Sequence, residues 1–498
     1  MVAGRHSLAA CLCLCSCGQL DWEEAGSSTA AGPAAEAASP DLEAGSAVPP
    51  GATTDVGAPS APRADNPAEE ASLPSSECGP AIETPELGWE YRAGSATQDY
   101  VSAVAVDAEG NVYLTGMAGP NVDFGGGPLA GSGGYVVSLS NQGQYRWGRI
   151  LEGSSWGSDI AITPTGGILV AGSFEGTLNL GGGPHEAGGG TAGYLVSLTS
   201  RGEYLWDRTF RGGAINIATA VSAGPDGGVI LAGSYMASAD FGGGSRPAGQ
   251  DQDFFVAAYD ADGTYRWDVI RPGPGAEIPL DVAVDSAGHV NVAGHFRGEW
   301  DLGGGVRGAA GSQAAFVLHL DEDGEYQWDW THDFDGHGLG HAVAVDQQGS
   351  VFVTGEFSGT LHFAGTEYPP SSRLASYVVG FDADGTERWA RTFASDDSVR
   401  AFGIAVDDRG QVLVAGHFGG EARFGETPRA SAGGYDVFAL VLTSSGEHVW
   451  DRTAGGPQNE EGHAINGGCA GAVFVGGRDP GHDAGNLVSM DALLVAFD

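Results

Sequence analysis

The chain has 498 residues, 42% of them hydrophobic and 9% aromatic, which is enough apolar material for a large folded core. Its formal charge is −42, and all 22 basic residues are arginine. An anionic surface of this size repels phosphate backbones and acidic headgroups, which excludes nucleic acid as a partner and leaves proteins, neutral glycans and cations.

Residues 1–17 read as a targeting segment and are set aside from fold reasoning. Arg5 and His6 make a short polar start, Leu8 to Cys15 an apolar run, and Leu14-Cys15-Ser16-Cys17 matches the pattern of a bacterial lipobox. Cys17 is the expected lipidation site, preferred over Cys11, which has almost no apolar run before it. Residues 18–86 are rich in Ala, Pro, Ser and Gly, with 13 acidic residues against Arg63 alone. Such a segment buries too little apolar surface to offset its ordering entropy, so a disordered acidic tether is expected. The leader holds +1 and the tether −12, which leaves −31 on residues 87–498.

From residue 87 the chain repeats. Trp89, Trp147, Trp206, Trp267, Trp328, Trp389 and Trp450 follow at spacings of 58, 59 and then 61 residues. A second register agrees with the first: Gly116, Gly172, Gly233, Gly294, Gly355, Gly416 and Gly477. Each unit holds four alternating runs, as in FFVAAYD, TYRWDVI, LDVAVD and HVNVAGHF, separated by Gly and Asp turns. Period-two alternation of this kind predicts antiparallel strands, and a four-stranded unit of about 60 residues repeated seven times predicts an all-β, seven-bladed β-propeller over 87–498. The chain enters at GWEYRAG, equivalent to a Trp-bearing strand, and leaves at ALLVAFD, equivalent to the strand before it. The N-terminal strand is therefore expected to complete the C-terminal blade and remove an open edge.

Units such as YVVGFDADGTERWARTF, AFGIAVDDRGQVLVAGHFGG and ARFG resemble the SBBP-type bacterial β-propeller repeat across residues 87–498. That resemblance implies an extracytoplasmic protein and carries no general catalytic assignment. The last unit departs from it, with AINGGCAGAVFVGG in place of the AVD turn and no FG loop. FDADGTERW and LDEDGEYQW are also similar to the tryptophan-docking hairpins of quinoprotein dehydrogenases. Those enzymes carry eight hairpins and a cofactor floor; here there are seven hairpins and no floor, so no cofactor is expected.

One tryptophan per unit at one strand position reads as a docking contact between blades, each ring burying about 150–250 Å². The Asp260-Ala261-Asp262-Gly263 type of turn lacks the further oxygen ligands of a calcium loop and reads as a hairpin turn. The GGG runs, beginning at Gly125, Gly181, Gly242 and Gly303, have neither lysine nor a following helix and read as turns rather than phosphate loops. The densest polar cluster, His332, Asp333, Asp335, His337 and His341, falls in an expected loop and is the candidate for a divalent metal. His341 and His463 share an equivalent position in their units and are candidates to meet at a common channel. No nucleophile elbow or Ser-His-Asp spacing stands out. Cys78 and Cys469 are the expected disulfide of an exported chain.

The expectation is an exported, lipid-anchored or secreted monomer at the outer membrane or cell surface, a non-enzymatic scaffold that binds a protein or glycan. The alternative is an extracellular polymer hydrolase or lyase, or a quinoprotein-like oxidoreductase. Polar residues unique to single blades and converging at the channel mouth would favour that alternative.

Overall fold

The computed structural model describes residues 87–497, apart from 96, 213, 248, 250, 309–312, 333–336, 370–373, 469–471 and 480–490. Cys17, Cys78, Cys469, Asp333 and Asp335 lie outside the described residues, as do the leader and the acidic segment.

Among the described residues every regular element is a strand. The repeat folds into four-stranded antiparallel sheets whose strands follow one another in chain order, as in a β-propeller. The first sheet is built of Tyr100–Val106, Val112–Ala118, Gly133–Leu139 and Tyr145–Glu152. The same order recurs in the sheets that begin at Ser154, Ile215, Glu277, His337 and Val399. A single parallel bridge, Ile215 to Thr191, joins the second sheet to the third. In the seventh sheet, Glu461–Gly467, Val473–Asp479 and Asp491–Phe497 are followed on the outside by Leu87–Ala93. This last strand runs antiparallel to its neighbour, with Trp89 opposite Ala496 and Arg92 opposite Leu493.

The first strands of successive sheets pack on one another in order, and Glu461–Gly467 of the seventh packs against Tyr100–Val106 of the first. The middle strands are apolar on both faces because each sheet is covered by two neighbours; Asp436–Leu442 and Ala375–Phe381 are buried at every residue. The outermost strands are for the most part half-buried, as Tyr145–Glu152 is.

Both sequence registers have a steric cause. Trp147 Nε1 donates to the Ser200 carbonyl at 3.0 Å, Trp206 to Ala261 at 2.9 Å, Trp267 to Glu322 at 3.0 Å and Trp328 to Ala383 at 3.0 Å. Each acceptor lies in the hairpin turn joining the third and fourth strands of the next sheet, so the ring fastens one sheet to its neighbour. The turn glycine beneath the ring, Gly263 under Trp206 for example, has φ +79 and no room for a Cβ. The second register marks a bulge. In every first strand the pairing skips one residue: Ser102, Ser158, Thr219, Leu280, His341, Phe402 or His463. The extra residue thrusts a first-strand carbonyl against the glycine opposite, where a Cβ would collide with backbone.

Four of the sheets also carry a hairpin of two three-residue strands between their second and third strands, Ser238–Asp240 with Ser245–Pro247 being one. Segments so short leave no periodicity to read, and in two of the four the GGG turn is the one visible mark. Those turns wrap a side chain of their own: the Asp240 carboxylate accepts from the amides of Gly242 and Gly244, and Asp301 from Gly303 and Gly305.

Candidate functional site

The bulge sets which side chains meet where the first strands gather. His341, Phe402 and His463 are the bulged residues of the fifth, sixth and seventh sheets. The Phe402 ring stands 4.6 Å from His341 and 5.7 Å from His463. It also lies 5.4 Å from His417, which in turn is 5.1 Å from Tyr435. The equivalence of His341 and His463 read from the repeat thus brings both to one aromatic ring.

Two carboxylates anchor the polar side of this cluster. Glu356 Oε1 is 3.5 Å from His337 Nε2, and its Oε2 is 3.7 Å from both His341 Nε2 and Arg400 Nε. Glu461 Oε2 takes Arg478 Nη2 at 2.8 Å and Nε at 3.0 Å, with His463 Nε2 at 3.4 Å. Burial raises the Glu356 carboxyl, but His337, His341 and Arg400 outweigh it and hold the group well below the ordinary range. Glu461 likewise falls to about 2, burial being overcome by His463, His417 and Arg478. His295 and His417 move the other way for an imidazole: burial, reinforced for His295 by the nearby histidines, lowers each to about 3. Both therefore stay neutral at physiological pH.

These charges sit in consecutive sheets and have no counterpart elsewhere in the repeat. The register position of Arg400 and Glu461 holds Tyr100, Trp156, Ile217, Ile278 and Leu339 in the other sheets. That of Glu356, His417 and Arg478 holds Met117, Ser173, Ser234 and His295. His417 Nδ1 has no hydrogen-bond partner among the described residues, while His341 Nε2 and Glu356 Oε2, 3.7 Å apart, meet as an ion pair beyond hydrogen-bond length; the three residues are only 2%, 7% and 7% exposed. Buried polar groups in that condition are costly unless something else satisfies them.

The metal cluster expected from the sequence divides. His337 and His341 belong to a strand that already begins at His337, and both face Glu356. His332 ends the preceding outermost strand and accepts a hydrogen bond on Nε2 from the His362 amide at 2.8 Å. Among the described residues no three His, Cys, Asp or Glu side chains form a group able to hold a metal. Glu356, Arg400, Glu461 and Arg478 escaped the sequence reading because each is a charged residue at one of two facing repeat positions that are uncharged in most units, and His417 because it shares its position with His295. Unit-by-unit comparison at the residue after each register glycine would have found three of them.

A second pair lies one residue past the bulge, where five sheets have Ala or Gly. Asp159 accepts from the amides of Ile160 and, in the next sheet, Val221, while Asp281 accepts from Val282 and Val343. Each stitches two first strands together. Burial raises both carboxyls, and Asp281 is raised further by Asp159. Elsewhere, a groove of about 330 Å³ lined by Arg208, Arg211, Phe241 and Tyr265 shares no residue with the His–Glu–Arg cluster. Its best-placed polar groups are already used, Tyr265 by Asp268 and Arg211 by the Glu186 carbonyl.

No family model matches the chain, and no curated protein does. Among solved structures it is similar to the WD40 domain of Neurospora crassa Pan2, at 10% identity and a TM-score of 0.42 over 80% of this chain and 89% of that one. A gluconolactonase from Xanthomonas campestris gives 13% and 0.35 over 85% and 99%. Virginiamycin B lyase from Staphylococcus aureus gives 9% and 0.39 over 81% and 98%. Likenesses this distant leave the architecture to be read from the chain's own sheets.

Proposed function

We propose that this protein is an exported, lipid-anchored, seven-bladed propeller, closed by Leu87–Ala93, that binds a glycan at the mouth of its channel and catalyses no reaction. The repeat, the cyclic packing of first strands and the pairing of Leu87–Ala93 with Asp491–Phe497 support the blade count and closure. The lipobox-like Leu14–Cys17 and the acidic segment behind it support export, with Cys17 as the anchor. The SBBP likeness rests on the repeat residues themselves.

One observation carries the choice of ligand. Buried imidazole nitrogens without a hydrogen bond among the described residues, on His341 and His417, lie beside the ring of Phe402, itself 8% exposed. Sugars offer hydroxyls that both give and accept hydrogen bonds, and an apolar face that suits an aromatic ring. Charged residues confined to a few sheets are also what an enzyme would place at a channel mouth. Hydrolysis by paired carboxylates, however, needs one of them protonated as general acid. Here both Glu356 and Glu461 are held ionised.

A glycan array probed with the protein and with Phe402→Ala tests the reading. Binding that the substitution abolishes, with the ligand recovered intact by mass spectrometry, is the expected result. Cleaved or unsaturated products would move the protein to the enzyme class, and an array without binders would end the glycan reading. For the anchor, Cys17→Ser should release protein that otherwise partitions into detergent.

A further inference from the structure

Several arginines among the described residues are fully engaged by the carboxylate they reach. Arg246 holds Asp268, Arg307 holds Asp329, and Arg478 grips Glu461 with two nitrogens. Arg400 differs. Its guanidinium makes no hydrogen bond to any described residue, its nearest acid is Glu356 with 3.7 Å between Nε and Oε2, and its side chain is 20% exposed. A half-buried guanidinium with its fork of N–H donors open is suited to a planar oxyanion, which it can take on two parallel hydrogen bonds.

The surroundings restrict that oxyanion further. Glu356 and Glu461 are balanced by Arg400 and Arg478, so the mouth is locally neutral although residues 87–498 carry −31. One added negative charge is tolerated there, whereas a polyanion is repelled by the rest of the molecule. Phe402, two residues along the same strand, is 8% exposed and packs against the rings of His341, His417 and His463. Resting on the glycan reading above, we propose that the mouth selects a single uronic acid residue within an otherwise neutral saccharide. Its carboxylate sits on the Arg400 guanidinium. Arg400 is then the specificity-determining residue, and it separates this ligand from neutral sugars of the same shape.

The test compares methyl glucuronide, its uncharged amide and methyl glucoside by calorimetry or saturation-transfer NMR, on the full chain and on Arg400→Gln and Arg400→Lys. The acid should bind at least tenfold more tightly than the amide. Arg400→Gln should remove that difference, and Arg400→Lys, which keeps charge without the fork, should fall between. Thermal melts report whether each variant is folded; if Arg400→Gln is not, the acid-to-amide ratio of the unmutated chain decides alone. Equal affinity for acid and amide, or an undiminished ratio in Arg400→Gln, overturns the uronate assignment and leaves the glycan reading standing. If none of the three compounds binds while neutral array glycans do, the uronate assignment falls alone. Silence from compounds and array together ends both.

Discussion

At Gly355 a methyl group would point into the Leu339 carbonyl of the bulged strand and crowd the ring of Tyr377, which is fully buried and donates its hydroxyl to that same carbonyl. Gly355→Ala is expected to cost about 3 kcal/mol or more. Gly308→Ala, at a position with open space around it and no positive φ, should change stability by less than about 0.5 kcal/mol. Chemical denaturation of the two variants checks the contrast, and equal losses would discard the steric account of the register. Buried carboxyls predict opposite responses to pH. Burial, with help from Asp253, raises Glu277 to about 8. The folded state therefore holds a proton that the unfolded chain has lost above about pH 4.3. Stability conferred by that proton declines as pH rises from there to about 8, by at most about 1.4 kcal/mol for each unit. Glu277→Gln should flatten this slope in urea midpoints taken between pH 5 and 8. Glu356 and Glu461 are depressed, so their contribution is present above the unfolded value and lost as pH falls below about 4. Glu356→Gln should lower stability at pH 7 and show a weaker acid response.

Among elements, the outermost strand is held in two directions. Its tryptophan reaches forward to the next sheet's turn, and an aspartate one residue on reaches sideways to the small hairpin. In the third sheet Asp268 accepts from Tyr265 Oη at 2.8 Å and Arg246 Nε at 2.9 Å; Asp329 does the same with Tyr326 and Arg307 in the fourth. Trp450 breaks the pattern. Its Nε1 makes no hydrogen bond to the described residues, and its ring leans toward Phe497 with 6.3 Å between centroids. Trp267→Phe forfeits the bond to Glu322 and should cost about 1 kcal/mol more than Trp450→Phe. Thermal melts of both variants measure the difference.

On the scale of the whole molecule, acidity works against compactness. With −31 on residues 87–498, self-repulsion is relieved by screening, so the melting temperature should climb between 0.05 and about 0.5 M sodium chloride. A melting temperature indifferent to salt would mean that the carboxylates are neutralised locally, as Asp268 and Asp329 are. The proposed closure makes a second demand. Removing residues 1–95 strips the outer partner from Asp491–Phe497, whose residues 492–497 are buried, and leaves an apolar edge. The truncated protein should aggregate on light scattering, where a chain shortened only to residue 80 stays soluble.

The strands, the turns and the role of the tryptophans were legible in the sequence because each is fixed by a local pattern repeated in register. FFVAAYD and TYRWDVI became Asp253–Tyr259 and Tyr265–Arg271, and the Asp260 turn became a hairpin closed by the Gly263 amide on the Asp260 carbonyl. The glycine register was visible as well, but not its reason, since a bulge is a property of two paired strands. The cluster around Phe402 was hidden for the same cause. His341, Glu356, Arg400, His417 and Glu461 stand up to about 120 residues apart, each an exception within its own unit. They meet because successive first strands pack side by side, and only that packing turns scattered exceptions into one site.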